Sequence, residues 1–223
     1  MQNGHHLISL SLGGAVGPTG LAVIEPRSEY WHPKGNESEL DYQNHYTVFW
    51  LERFDPGRPS SDIAARVRAI AAERRLARGY DVLVDITKTG SAAVRSLEDL
   101  GLRYVQPVEI TNAADATYHN GIERVPFLDV GGTVKVVLQD DRIKVSSELA
   151  LAATLLTDLQ VLDPAMPRRA SEAGQSDDLM IAVAVAIWWG ERLQWNEEVA
   201  ASMLPENDDD YYDETDRSPV TGY

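Results

Sequence analysis

The sequence contains no cysteine, so disulfides and thiolate metal sites are excluded, and any metal must be held by carboxylate oxygen or imidazole nitrogen. Long apolar runs are missing as well. No segment approaches the roughly 18–20 residues that a membrane-spanning helix needs, and Met1 to His6 has neither the basic nor the apolar region of a secretory leader. These absences predict a protein of the cytoplasm with no membrane association. Basic residues are scarce, with 20 Lys and Arg against 35 Asp and Glu and a formal charge of −15. That balance argues against a general nucleic-acid coat, because phosphate binding draws on Lys and Arg to release counterions. The five histidines, His5, His6, His32, His45 and His119, show no metal-ligand spacing. A phosphate-binding ATPase loop is also lacking: Gly13-Gly14-Ala15-Val16-Gly17-Pro18-Thr19-Gly20 has no lysine, and Lys88-Thr89-Gly90 has the wrong order.

What is present fits one globular domain. The chain has 223 residues, 43% hydrophobic and 25% charged, enough for a core that needs no staples. Residues 1–195 are expected to fold and 196–223 to form an acidic, disordered tail. From Pro205 onward, Glu206, Asp208, Asp209, Asp210, Asp213, Glu214 and Asp216 face a single base, Arg217, so this stretch carries −6 of the −15. A folded body that is only mildly acidic has room for a local basic groove. Arg66, Arg68, Arg74, Arg75 and Arg78 crowd one expected helix, for which a solvated face is the plainer reading.

Leu7 to Leu12 and Leu21 to Ile24 read as a hairpin with a glycine-rich connection, and Tyr46 to Phe54 as a third strand. Pro59-Ser60-Ser61-Asp62 reads as a cap cluster for a helix from Ile63 to Ala77, ended by Gly79. Val82 to Asp85 is a short continuous apolar run, as a strand buried on both faces would be. A helix over Ser91 to Leu100 and a parallel strand over Tyr104 to Val108 follow. Val125 to Gln139 stays open: Gly131-Gly132 and the valines favour turn and strand, whereas Pro126 suits a helix start. Arg142 to Val145 reads as a strand, Ser146-Ser147-Glu148 as the cap of a helix from Leu149 to about Leu162, and Pro164 to Gly174 as a polar loop. Ser176 or Asp177 opens the last long helix, whose Ala182, Ala184 and Ala186 allow close approach to a sheet. The order predicts an α/β fold, a mixed central sheet with helices on both faces.

Two segments carry chemistry. Val82-Leu83-Val84-Asp85-Ile86-Thr87-Lys88-Thr89-Gly90 delivers a carboxylate at a strand end, and Ser176-Asp177-Asp178-Leu179 opens a helix with two more. Taken singly, an Asp after a strand is a turn former and an Asp at a helix start is a cap. Together they could supply hard oxygen ligands to a pair of divalent ions about 4 Å apart, which phosphodiester hydrolysis uses with at least one bridging carboxylate.

With Leu12-Gly13-Gly14, Pro18-Thr19, Gln106-Pro107-Val108-Glu109-Ile110-Thr111 and Arg142-Ile143-Lys144-Val145 in the same order, the chain resembles the nuclease domain of viral DNA-packaging terminase large subunits, a branch of the ribonuclease H-like fold. The resemblance runs from about Leu7 to Trp195. It implies Mg²⁺ or Mn²⁺ as cofactor and concatemeric duplex DNA as substrate in the host cytoplasm. The implied partners are a packaging ATPase on another chain or outside this sequence, and a portal or small terminase. It also implies that Val125 to Gln139 is helical. The later-strand metal role falls on Asp85 and the helix role on Asp178, with Asp177 as neighbour or substitute. The bridging role falls on Ser11, whose neutral hydroxyl cannot neutralise two divalent ions. Glu25 lies at the opposite end of the hairpin from Ser11 and is poorly placed to substitute. Lys88 is a candidate for a scissile phosphate, and Arg168 and Arg169 for DNA contact.

Two other classes fit parts of the sequence. A catalytically degenerate domain of the same fold would bind DNA or protein without cutting, consistent with Ser11. An actin-like nucleotide-binding protein would use Gly17-Pro18-Thr19-Gly20 to hold phosphate through backbone N–H groups.

Overall fold

Strand β1 (His6–Ser11) alternates between two apolar environments, and all six of its residues are buried. Leu7 joins one hydrophobic cluster, while Ile8 and Leu10 join the other. A strand buried on both faces belongs at the centre of a sheet, and the computed structural model, which describes residues 5–31, 41–164 and 177–202, places it there. β2 (Thr19–Trp31) folds back antiparallel to β1, and β3 (Asp41–Phe54) antiparallel to β2 with a bulge at Val23/Ile24. β4 (Tyr80–Asp85) adds parallel to the other edge of β1, followed outward by β5 (Val105–Thr111), β7 (Ile122–Pro126) and β6 (Thr117–His119). β8 (Ile143–Val145) pairs parallel to β3, giving the order β6-β7-β5-β4-β1-β2-β3-β8.

Helices cover both faces. α1 (Ser60–Ala71) and α2 (Ser91–Asp99) pack on one side through Ile63, Val67, Ile70, Val94 and Leu97. α3 (Phe127–Gln139), α4 (Ala152–Gln160) and α5 (Asp178–Ser202) pack on the other. This mixed sheet between helices on both faces is the α/β class that the order of elements predicted. α5 is buried without interruption from Asp178 to Trp188 because it lies between the sheet and α3 and α4. A helix enclosed on all sides is apolar all round, and its alanines let it settle close to the strands.

Several expectations need correction. The segment from Val125 splits into the end of β7 and α3, with Pro126 at the N-cap. Phe127, Val130, Val134 and Val137 are buried at helical spacing, and Gly131 lets Pro164 approach, a Cβ there lying 3.3 Å from its ring. α1 stops at Ala71, and Arg74–Leu76 form a separate 3₁₀ turn; Pro59, not a side-chain cap, precedes α1. Ser146-Ser147-Glu148 do not cap α4, which begins at Ala152 after Leu151; the Ser146 N–H instead donates to the Val48 carbonyl at 3.2 Å. The β6 strand was not expected. α5 runs to Ser202, past the expected boundary at 195, and the rest of the expected tail lies outside the described residues.

The end of the sheet remote from Ser11 is held by polar contacts. Tyr46 Oη donates to Glu191 at 2.7 Å, Arg142 donates to Glu191 at 3.0 Å, and Asn44 donates to the Gly190 carbonyl at 3.2 Å. Burial, and then the charge of Glu191, push the Tyr46 phenol well above its ordinary value. Arg66 pairs with Glu52, and Arg75 pairs with Glu25 while stacking on Phe49, so part of the arginine cluster is engaged within the fold.

Glu25 generates a pH prediction. Burial raises its pKa, but hydrogen bonds from Arg75 at 2.9 Å and Arg27 at 3.1 Å outweigh burial and hold the carboxyl below its ordinary 4.5. A carboxylate held low contributes stability that is present above its unfolded pKa and lost as pH falls through the folded one. Glu25→Gln should therefore lower stability by about 1 kcal/mol at pH 7. The gap between the two proteins should close as pH drops below about 4.5. Urea unfolding midpoints across that range test this, and a gap that persists undiminished into acid would refute it.

Candidate functional site

The carboxyl ends of β1 and β4 meet side by side. Ser11 is in register with Asp85 on one flank and with Gly20 on the other, and Gly20 is in register with Arg53. Register partners on adjacent strands point to the same face, so Arg53, Gly20, Ser11 and Asp85 form one row beneath the start of α5. A Cβ on Gly20 would lie 2.5 Å from the Asp178 carbonyl carbon, so the first turn of α5 rests directly on β2.

Each predicted carboxylate has protein partners. Asp85, fully buried, accepts from Ser11 Oγ at 3.0 Å and from the Thr87 N–H at 3.0 Å. Thr87 Oγ1 also donates to Asp85 and accepts from the Ile110 N–H at 2.8 Å, tying the strand end to β5. Asp178, 1% exposed, accepts from Arg53 Nε at 2.9 Å. Asp177 pairs with Lys88 Nζ at 3.1 Å, so the lysine expected to meet a phosphate neutralises the neighbouring acid. Glu25 pairs with Thr47 midway along β2, which continues to Trp31, and lies five residues along the strand from Gly20, the register partner of Ser11. Arg168 and Arg169 lie outside the described residues.

Sequence reasoning missed Arg53 and Asp158. Asp158, on α4, has its carboxyl pushed above the ordinary value of 3.8 by burial first, and then by the charges of Asp178 and Asp177, against the opposing pull of Arg53. Arg53 thus stands in the field of acids from two helices. Only the helical spacing of buried Ala152, Leu155 and Leu159 hinted which face of α4 turns inward, and nothing in the spacing links Asp158 or Arg53 to Asp178.

These donors do not fit a two-metal centre. Among the described residues, no three of His, Asp and Glu are grouped so as to hold a metal ion. The row explains why. Asp178 rests over β2, two strands from Asp85, or about 10 Å at the usual strand spacing. The residue between them, Ser11, is the one that would have to bridge. The loop after β1 does not form a phosphate cradle either, since Pro18 has no N–H and that of Gly17 is spent on the Gly13 carbonyl at 3.1 Å.

No family model matches the chain, and no curated protein matches it. Among solved structures it is similar to the human cytomegalovirus terminase nuclease domain, with 19% identity, a TM-score of 0.48 and 82% of each chain covered.

The contact at Gly20 can be tested. Gly20→Ala forces a methyl into the Asp178 backbone, and overpacking of this kind costs about 1–3 kcal/mol. A melting temperature lowered by about 2–4 °C per kcal/mol is expected for a domain of this size, read by near-UV circular dichroism. An unchanged melt would show that α5 does not depend on the contact.

Proposed function

We propose that this chain is a terminase-type nuclease domain disarmed at its bridging position, which engages duplex DNA without hydrolysing it. The observation that carries this reading is the pairing of Ser11 with Asp85: the residue between the two flanking carboxylates is a neutral hydroxyl already donating to one of them. Two divalent ions about 4 Å apart need a shared carboxylate, and the neutral Ser11 hydroxyl does not offer the charge for that task. Asp85, Asp178 and Asp177 remain where ligands would be expected, but Ser11, Arg53 and Lys88 respectively occupy them.

Such a domain would act in the host cytoplasm beside a packaging ATPase, with a portal or small terminase as further partners. Its contribution would be to hold DNA at the sheet edge. Support for this comes from the ribonuclease H-like architecture, from the linked motifs around Asp85 and Asp178, and from cationic side chains at the rim. Lys88 keeps 31% of its side chain exposed and Arg53 keeps 29%. No helix among the described residues is long and apolar enough to cross a membrane.

The test compares the parent with Asp85→Ala on supercoiled plasmid in Mg²⁺ and in Mn²⁺, alongside fluorescence polarisation with a labelled duplex. The expected outcome is that neither protein nicks the plasmid and that the parent binds the duplex, with affinity falling as salt rises. Nicking by the parent that Asp85→Ala abolishes would instead make the chain a working metal-dependent endodeoxyribonuclease. Absence of both nicking and duplex binding would leave a domain directed at a protein partner.

A further inference from the structure

Arg53 has a setting unlike that of the surface arginines. Its Nε donates to the buried carboxylate of Asp178 at 2.9 Å. Its Nη2 is buried without a hydrogen-bond partner, and so is Oδ2 of Asp158 on α4. One cation thus meets the buried acid that opens α5, while a guanidinium nitrogen on β3 and a carboxyl oxygen on α4 remain unpartnered. β3 brings Arg53 there through register with Gly20, the residue on which the first turn of α5 rests.

A guanidinium carries a fixed positive charge that cannot be lost in a protein, and its planar donors suit carboxylates. Beside the buried Asp178 it supplies what a divalent ion would otherwise supply, a counter-charge at the helix start, but with no open coordination position for a water or a phosphate. We infer that Arg53 is a built-in counter-cation that takes the place of a divalent metal at the start of α5 and makes the fold independent of metal. This rests on the reading of a disarmed nuclease-type centre and adds to it. Loss of the bridging acid at Ser11 disables hydrolysis, whereas Arg53 maintains the remaining acids without ions.

Removing the guanidinium leaves Asp178 buried without this counter-charge, the situation in which a broken buried pair is most destabilising. In metal-free buffer, Arg53→Gln should lower the melting temperature by roughly 5–10 °C. Arg53→Lys, which keeps the charge, should lose less. The decisive readout is the response to MnCl₂ at about 1 mM. The parent and Arg53→Lys should not shift, while Arg53→Gln should recover about half of its loss and show Mn²⁺ binding by titration calorimetry. Arg53→Gln/Asp158→Asn, which carries one acid fewer, replaces Arg53→Gln if the latter does not fold. A parent that Mn²⁺ stabilises, or an Arg53→Gln protein no more responsive than Arg53→Lys, would overturn the inference. The experiment needs no cleavage activity, so nicking of plasmid by the parent would remove the disarmed reading while leaving the counter-cation result to stand or fall by itself.

Discussion

The structure depends on how closely α5 lies against the sheet. Asp178 through Trp188 are buried in succession, which an α-helix tolerates only when strands press on one side and other helices on the other. The closest approach is at Gly20, where there is no room for a methyl group beneath the Asp178 backbone. Gly190 plays the matching part further along, since a Cβ there would stand 2.7 Å from Tyr46 Oη. Between these two contacts the helix is fixed across β1 to β4. The hydrogen bonds of Tyr46, Asn44 and Arg142 to the Gly190–Glu191 turn then satisfy polar groups that so close a packing would strand.

Fixing α5 in this way forces an electrostatic solution at its start. Asp178 is carried into a place almost without solvent, where an ionised carboxylate needs a counter-charge and hydrogen bonds. Asp85 is brought to the adjoining strand end under the same conditions. In an active two-metal centre, ions would answer both needs and a bridging acid would join them. Here Ser11 and Thr87 answer the need of Asp85, while Arg53 answers that of Asp178. A hydrogen bond to a charged acceptor contributes about 1.5–3 kcal/mol, whereas a carboxylate at position 11, in register with Asp85, would add like-charge repulsion with no ion to offset it. The hydroxyl thus favours the fold at this position.

Features governed by local pattern could be read from the sequence. The β1–β2 hairpin, the doubly buried run ending at Asp85 and the alanine-rich α5 all follow from periodicity and punctuation. α3 was obscured by its own composition, because valines and paired glycines suggest strand and turn. Yet Phe127, Val130, Val134 and Val137 recur at intervals of three and four, and burial of that stripe overrides the propensity of its members. β6 left no signal because its three residues are all exposed and have no buried face to alternate against. Arg53 and Asp158 were invisible for another reason. Arg53 sits within an ordinary strand, 125 residues from its partner, and only the register of β2 with β3 and the descent of α5 onto Gly20 bring them together.

Ser11 also bears on the charge that the sheet edge would present to a polyanion. Near the row lie four acids, Asp85, Asp158, Asp177 and Asp178, against two bases, Arg53 and Lys88, in a protein whose formal charge is already −15. With ions bound, an active site can afford such an excess of acid; without them each further carboxylate repels DNA. A serine in place of a fifth acid keeps the excess from growing. Metal-free approach of a polyanion is therefore less opposed with Ser11 than it would be with an aspartate.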